Sequence, residues 1–375
     1  MKRQLAAKLV LLAAFSLMFR CAETFAQTAR QSLVAQVPAG ARLAQPLARM
    51  EGTQQLSLAI TLPFHHQEAL TNLLREINNP ASPNFRHYLT REQFTERFGP
   101  TEQEYAALKK FAGGQGLKVR EHANRMLLEA GGTVDDIERA FHTRLRVYRH
   151  PTEARTFYAP ETEPSIDCPV KVLSVRGLDN YAIARPRLHT ALPDGQNTPA
   201  DGTGSGPNGG FRGYDFRAAY VPGTTLTGAG QIVGLLQFDG YSADDIAYYE
   251  AQAGLPSVTL SNVLLNGASG YPSGNGNEVE VTLDIEMVIS MAPGLSQVIV
   301  YEAPNPCPFE VILNQMVSDN LAKQLSCSWF LSGGGPDPSA EQIFQEMAAQ
   351  GQSFFNASGD NDAYTGSIDF PSDSP

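Results

Sequence analysis

Residues 186–210 read Pro-Arg-Leu-His-Thr-Ala-Leu-Pro-Asp-Gly-Gln-Asn-Thr-Pro-Ala-Asp-Gly-Thr-Gly-Ser-Gly-Pro-Asn-Gly-Gly. A segment so short of apolar side chains cannot bury enough surface to repay the entropy of ordering it. It is expected to be an exposed linker, readily cut by proteases, between two domains. The length of 375 residues allows that division, and charge falls the same way. From residue 213 onward there are two basic residues, Arg217 and Lys323, against nineteen acidic ones; the preceding residues carry 26 basic against 20 acidic. A basic front and an acidic back predict an intramolecular partnership through complementary fields, weakening as carboxylates protonate.

The pattern ahead of the linker predicts strand, helix, strand, strand, helix, strand. Residues 54–62 alternate like a half-buried strand, and 66–77 carry apolar residues at helical spacing. Thr90 with Gln93, and Thr101 with Glu104, have capping-box spacing, which starts two further helices running to about Phe98 and Phe111. Strands follow at 116–122 and 125–130, Thr133 caps a helix through Phe141, and 144–150 alternates again. This order is that of the split ferredoxin-like arrangement with helices inserted. Earlier still, a basic start (Lys2, Arg3, Lys8) precedes an apolar core at 9–19 that is too short to span a bilayer, with a small-residue site ending at Ala26. That is the layout of a signal peptide over 1–26, so a secreted or periplasmic protein is expected. No later segment reaches membrane-spanning length, and no nucleic-acid or membrane partner is expected.

Behind the linker, apolar strands and helices alternate. Strands are expected at 231–238, 296–302, 324–329 and 353–356, and helices at 242–253, 309–320 and 339–350. This is α/β with a mostly parallel sheet, where ligands sit at the carboxyl ends of strands. Two loops lie there: Ser326-Cys-Ser-Trp329, and Ala357-Ser-Gly-Asp360.

The run Glu278-Val-Glu-Val-Thr-Leu-Asp284-Ile-Glu-Met-Val-Ile-Ser-Met291 carries the clearest chemistry. Glu280 and Asp284 are four apart on an otherwise apolar helix, so they share a face, and like charges placed there are unfavourable. Forced proximity drives their pKa values apart and leaves one carboxylate usable as a base at low pH. No histidine follows His189, so a histidine base is not offered by the acidic half. Three cysteines follow the leader, Cys168, Cys307 and Cys327. An odd number makes no complete disulfide framework; Cys327 in an apolar run is expected to be a buried hydrophobe, and pairing of Cys168 with Cys307 is left open.

These residues resemble the sedolisins, the serine-carboxyl peptidases, with a kumamolisin-type activation propeptide. The front half matches at Pro80-Ala-Ser-Pro-Asn-Phe-Arg-His-Tyr-Leu-Thr90, Phe98-Gly-Pro100, Asn124-Arg125, Gly131-Gly-Thr133 and Ala140-Phe141. The back half matches, in the family's order, at Leu236-Gln-Phe-Asp-Gly-Tyr241, Leu283-Asp-Ile-Glu286 with Ala292-Pro-Gly294, Ser326-Cys-Ser-Trp329 and Ala357-Ser-Gly-Asp360. The resemblance implies a subtilisin-like, mostly parallel sheet, incomplete here, preceded by a ferredoxin-like α+β prodomain. It divides the chain into a signal peptide (1–26), an activation propeptide (27–185), a processing linker (186–212) and the first part of a peptidase domain (213–375). It implies polypeptide substrates, Glu280 as general base, Asp284 as the residue that orients and tunes it, and Asp360 as the acid that donates to the oxyanion. Ser328, Trp329 and Gly359 are expected beside the site, Trp329 as a packing wall. Departures are equally specific. The family's nucleophile lies in a Gly-Thr-Ser motif after the Asp360 loop; none occurs here, because Gly202-Thr203 and Gly223-Thr224 are followed by Gly204 and Thr225. The calcium expected of a full-length relative has its site further on than this chain extends, and Gln237 stands where some relatives carry a glutamate that extends the carboxylate network. The expectation is a truncated precursor, inactive by itself. The contrasting expectation is a non-catalytic secreted protein whose front half binds a dead peptidase-like half. A carboxylate pair acting alone on water is disfavoured, since aspartic proteases do not place their carboxylates four apart on one helix.

Overall fold

The computed structural model describes residues 30–186, 204–331, 337–359, 366 and 368–374. The expected signal peptide and the first part of the linker lie outside the described residues.

The front half is built on an antiparallel sheet of β1 (Gln55–Thr61), β2 (Lys118–Glu121), β3 (Leu127–Thr133) and one later strand. Between β1 and β2 run α1 (Gln67–Ile77), α2 (Arg91–Phe98) and α3 (Glu102–Gly114). Both expected capping boxes form: the Thr90 and Thr101 hydroxyls accept from the backbone amides of Gln93 and Glu104, whose side chains reach back to the cap amides. Helix α4 (Val134–Phe141) starts as expected, with the Thr133 side chain accepting from the Asp136 amide. The next strand is a correction. The alternating segment forms β4 (Leu145–Arg149), but it leaves the main sheet and pairs with Ala48–Arg49 and β5 (Thr156–Pro160). The fourth strand of the main sheet is β6 (Ser174–Arg176), giving the order β2-β3-β1-β6, antiparallel throughout. Three residues inside a loop-rich stretch carry too little alternation to be read as a strand, whereas the alternation Arg144-Leu-Arg-Val147 marks the start of β4. The half ends in β7 (Arg185–Pro186).

The back half holds α5 (Tyr214–Tyr220), β8 (Ile232–Gln237), α6 (Ala243–Ala253), β9 (Leu260–Leu264), α7 (Glu278–Met291), β10 (Gln297–Glu302), α8 (Phe309–Asp319), β11 (Gln324–Cys327), β12 (Trp329–Phe330), α9 (Pro338–Ala349) and β13 (Ser353–Asn356). Strands β9-β10-β8-β11-β13 form a wholly parallel sheet in that order. Strand β9 and helix α5 were not expected: Leu260-Ser-Asn-Val-Leu264 is short and half polar, and α5 buries none of its residues. All three described cysteines are free thiols, with Cys327 fully buried, so Cys168 and Cys307 are not bridged.

The halves share one apolar core. Phe64, Leu70, Phe94, Phe98 and Met126 from the front pack into the cluster that contains Val311, Ile343 and Trp329 from the back, while a separate cluster around Leu58, Ile60, Leu128 and Ile137 belongs to the front alone. Hydrogen bonds along the seam are chiefly neutral. Gln342 accepts from the Phe64 amide at 2.8 Å and donates to the Leu62 carbonyl at 3.1 Å. Asn124 donates to Asn314 at 2.8 Å and to Glu346 at 3.0 Å. Among the described residues Arg176 alone forms ion pairs across the seam, so the partnership expected from total charge is carried mainly by apolar packing. No described helix is long and apolar enough to cross a membrane.

Candidate active site

In a parallel sheet the backbone exits at the carboxyl edge leave a crevice, and the sheet order places β8 beside both β10 and β11 there. Gln237 ends β8, Glu302 ends β10, and Cys327 ends β11 just before Ser328. Helix α7 packs against β8 and brings its carboxylates to this edge. Glu280 is 5 % exposed. One turn later Asp284 is half-buried, and each of its oxygens accepts a hydrogen bond: Oδ1 from Ser328 Oγ at 2.7 Å and Oδ2 from Gln237 Nε2 at 2.7 Å. Burial raises the Asp284 pKa above the ordinary carboxylate range, against the opposing effect of these two donors. Cys327 lies close enough that both Asp284 and Glu280 add to the burial that pushes its thiol up.

Gln237 is the pivot of this arrangement. Its Oε1 accepts from Trp329 Nε1 at 2.7 Å, and both residues are fully buried. An indole N–H can only donate, so it fixes the amide orientation: oxygen toward Trp329, NH2 toward Asp284. A neutral amide thus continues the hydrogen-bond chain from Ser328 through Asp284 to Trp329. Trp329 is therefore more than a wall; its ring packs edge-on against Phe238 while its nitrogen holds the amide. The signal for this was a strand-end glutamine beside an otherwise apolar β8 run.

Glu286 lies on another part of α7, near Asp245 of α6, and burial together with that neighbour raises it to about 7. Gly359 follows β13 with φ 106°, a conformation that side-chain-bearing residues rarely adopt, and the adjoining Ala357 amide donates to the Cys327 carbonyl at 3.0 Å. Asp360 lies outside the described residues. One residue was missed. Glu302 is 1 % exposed, neither of its carboxyl oxygens has a hydrogen-bond partner, and burial beside Asp239 raises it to about 7. A glutamate closing the apolar run of β10 was the available sign.

The end of the front half reaches this edge. Strand β7 pairs antiparallel with β12, Arg185 opposite Phe330 and Pro186 opposite Trp329, and Asn305 Nδ2 donates to the Ala184 carbonyl at 2.6 Å. The segment following the serine that holds Asp284 is thus covered by a strand from the other half of the chain. Among the described residues no group of three His, Cys, Asp or Glu is placed to hold a metal ion. The calcium implied by the resemblance finds no ligand set among them.

Comparison with known proteins finds similarity in both halves of the chain. Residues 44–181 match the family described as "Pro-kumamolisin, activation domain". Over nearly the whole chain the protein is 28% identical to sedolisin of Pseudomonas sp. (strain 101), covering 94% of this chain and 63% of that protein. It is 27% identical to xanthomonalisin of Xanthomonas sp. (strain T-22), covering 87% and 42%, and 28% identical to kumamolisin of Bacillus sp. (strain MN-32), covering 86% and 61%. The chain therefore spans between 42% and 63% of the length of these relatives. A solved structure, Pseudomonas sedolisin (serine-carboxyl proteinase) complexed with two molecules of pseudo-iodotyrostatin, matches with a TM-score of 0.37 and 27% identity over 43% of this chain and 50% of that one. The chain is thus similar over most of its length to sedolisin, xanthomonalisin and kumamolisin, and its residues 44–181 match a pro-kumamolisin activation domain.

Proposed function

We propose that this chain is the exported zymogen of an acid-acting serine-carboxyl endopeptidase. In this reading residues 27–185 form the activation propeptide, 186–212 the processing linker and 213–375 the first part of the peptidase domain. The front half is read as ferredoxin-like, supported by the antiparallel order β2-β3-β1-β6 with α4 between β3 and β6. The observation that carries the function is the placement of Asp284 at the carboxyl edge of the parallel sheet, both oxygens held by Ser328 and Gln237, one turn beyond buried Glu280.

Glu280 serves as general base toward a serine hydroxyl, taking its proton as the oxygen attacks the scissile carbonyl. A carboxylate in this role retains its basicity at acidic pH, where an imidazole is already protonated. Asp284 positions Glu280 and tunes its charge, and Asp360, protonated, donates to the tetrahedral oxyanion. Polypeptides are the substrates, and the position of β7 along β12 is consistent with a propeptide tail lying where a substrate strand would lie. Calcium belongs to the full-length relatives in this reading. No Gly-Thr-Ser occurs among the 375 residues, so the polypeptide by itself is expected to be inactive, because a base without its nucleophile forms no acyl-enzyme.

The test is incubation of the purified 375-residue chain with an unstructured peptide at pH 4. No turnover is expected, and turnover that is lost in Glu280→Gln would show that a nucleophile is supplied from elsewhere in the chain. Extending the expressed chain by its downstream coding sequence separates this reading from the non-catalytic one: an active product belongs to the peptidase reading, and an extended chain that stays inert belongs to a dead peptidase-like half bound by its partner.

A further inference from the structure

Between the two halves lies a cleft of about 550 Å³, lined in part by Arg176 and Ala184 from the front and by Glu310, Leu331, Asp337 and Phe370 from the back. Glu310 is in the first turn of α8, and Asp337 caps α9, its Oδ1 accepting from the Ser339 and Ala340 amides at 2.8 and 2.9 Å. Both are buried, at 4 % and 3 % exposure. Their other oxygens converge on one group. Arg176 Nε lies 3.6 Å from Glu310 Oε1, and Arg176 Nη2 pairs with Asp337 Oδ2, which has no other hydrogen-bond partner. Asp179, from the front half, also lines the cleft near Arg176; burial raises its pKa, and the Arg176 charge opposes that rise.

The back half thus presents two buried carboxylates that no cation of its own approaches, since its two basic residues from 213 onward, Arg217 and Lys323, hydrogen-bond elsewhere. Buried carboxylates left unpaired are costly, and the planar, multi-donor guanidinium fits a two-carboxylate receptor better than an ammonium does. We propose that Glu310 and Asp337 form a guanidinium socket, filled in the precursor by Arg176, which takes an arginine side chain of a bound polypeptide once the activation half withdraws. The second part rests on the zymogen reading. It draws on position: Ala184 and Leu331 wall the same cleft and flank the β7–β12 pairing, so a chain running along β12 passes its mouth.

Chemical rescue tests this in the full chain and needs no catalysis, so its outcome stands apart from the peptidase reading. Arg176→Ala should lower the thermal midpoint by roughly 3 °C, and methylguanidinium chloride at millimolar concentration should restore most of that loss saturably. Sodium chloride of equal ionic strength should not, and methylammonium should do so more weakly. A short arginine-containing peptide should rescue as methylguanidinium does, and its citrulline counterpart should fail. In Arg176→Ala/Glu310→Gln the rescue should disappear. If Arg176→Ala does not fold, refolding yield in methylguanidinium against sodium chloride gives the same reading. Rescue equal to that of salt, or undiminished in the double variant, overturns the socket; rescue by methylguanidinium with none by the arginine peptide overturns its role toward polypeptides.

Discussion

The two halves of the molecule treat charge in opposite ways. In the front half the cations and carboxylates pair with one another near the surface: Arg49 with Asp135 and Glu138, Arg125 with Glu96 and Glu102, Arg155 and Arg185 with Glu153. In the back half no ion pair joins two described residues. Several of its carboxylates are buried or half-buried instead and held by amides and hydroxyls: Asp239 by the Gly240 amide and by Ser273, Glu250 by the Val258 amide, Asp284 by Gln237 and Ser328, Glu346 by Asn124 and Gln350. Exposed pairs contribute little to stability and buried carboxyls a great deal to its pH dependence. Net charge alone therefore misjudges how the halves meet: they share an apolar core and mostly neutral hydrogen bonds, with Arg176 the one cation among the described residues that forms ion pairs across the seam.

Separating the halves should have the largest effect. Residues 213–375 alone expose the face of α8 and α9 that packs against Phe64 and Phe94, along with sheet edges, and are expected to aggregate. A monomeric fragment that melts cooperatively would break the comparison.

A smaller change probes the seam itself. Asn124→Ala removes donors from Asn314 and from fully buried Glu346, and is expected to cost about 2–3 kcal/mol by urea denaturation. A cost under about 0.5 kcal/mol, the scale of an ordinary surface substitution, would show that the seam does not depend on this pair.

The pH dependence has a definite sign. Burial raises Glu346 to about 8 and Glu302 to about 7, above their ordinary value of 4.5 in the unfolded chain. Their contribution is whole below about pH 4.5 and is lost as pH climbs through 7 to 8, so the chain should be less stable at pH 8.5 than at pH 5. Glu346→Gln should flatten part of that slope. The charge totals of the two halves argue the other way, toward loosening in acid; stability that falls steadily from pH 7 to pH 5 would restore them. The smallest effect belongs to the front surface. Glu153→Ala, which removes pairs with two partly exposed arginines, should change stability by less than about 1 kcal/mol.

Element by element, what could be read in advance was whatever local chemistry determines. The capping threonines, the alternating β1 and the apolar β8 and β10 announced themselves because each is decided within a few residues. Strands β6 and β7 did not, because two or three residues hold their places only through partners far along the chain. Glu280 and Asp284 were legible as a pair by their spacing on one helix. The grip on Asp284 was not, since it joins residues on β8, α7 and the segment after β11, and only the sheet order brings Gln237, Ser328 and Trp329 together.

The central claim is that the Glu280–Asp284 face of α7 is the working face. Its most direct test is acid self-processing within residues 186–212, followed by mass spectrometry, in the chain expressed together with its downstream coding sequence. The account predicts that Glu280→Gln folds and stops cleavage while Glu286→Gln, altered beside α6, still processes at nearly the parental rate. Processing that survives Glu280→Gln and is abolished by Glu286→Gln would contradict it.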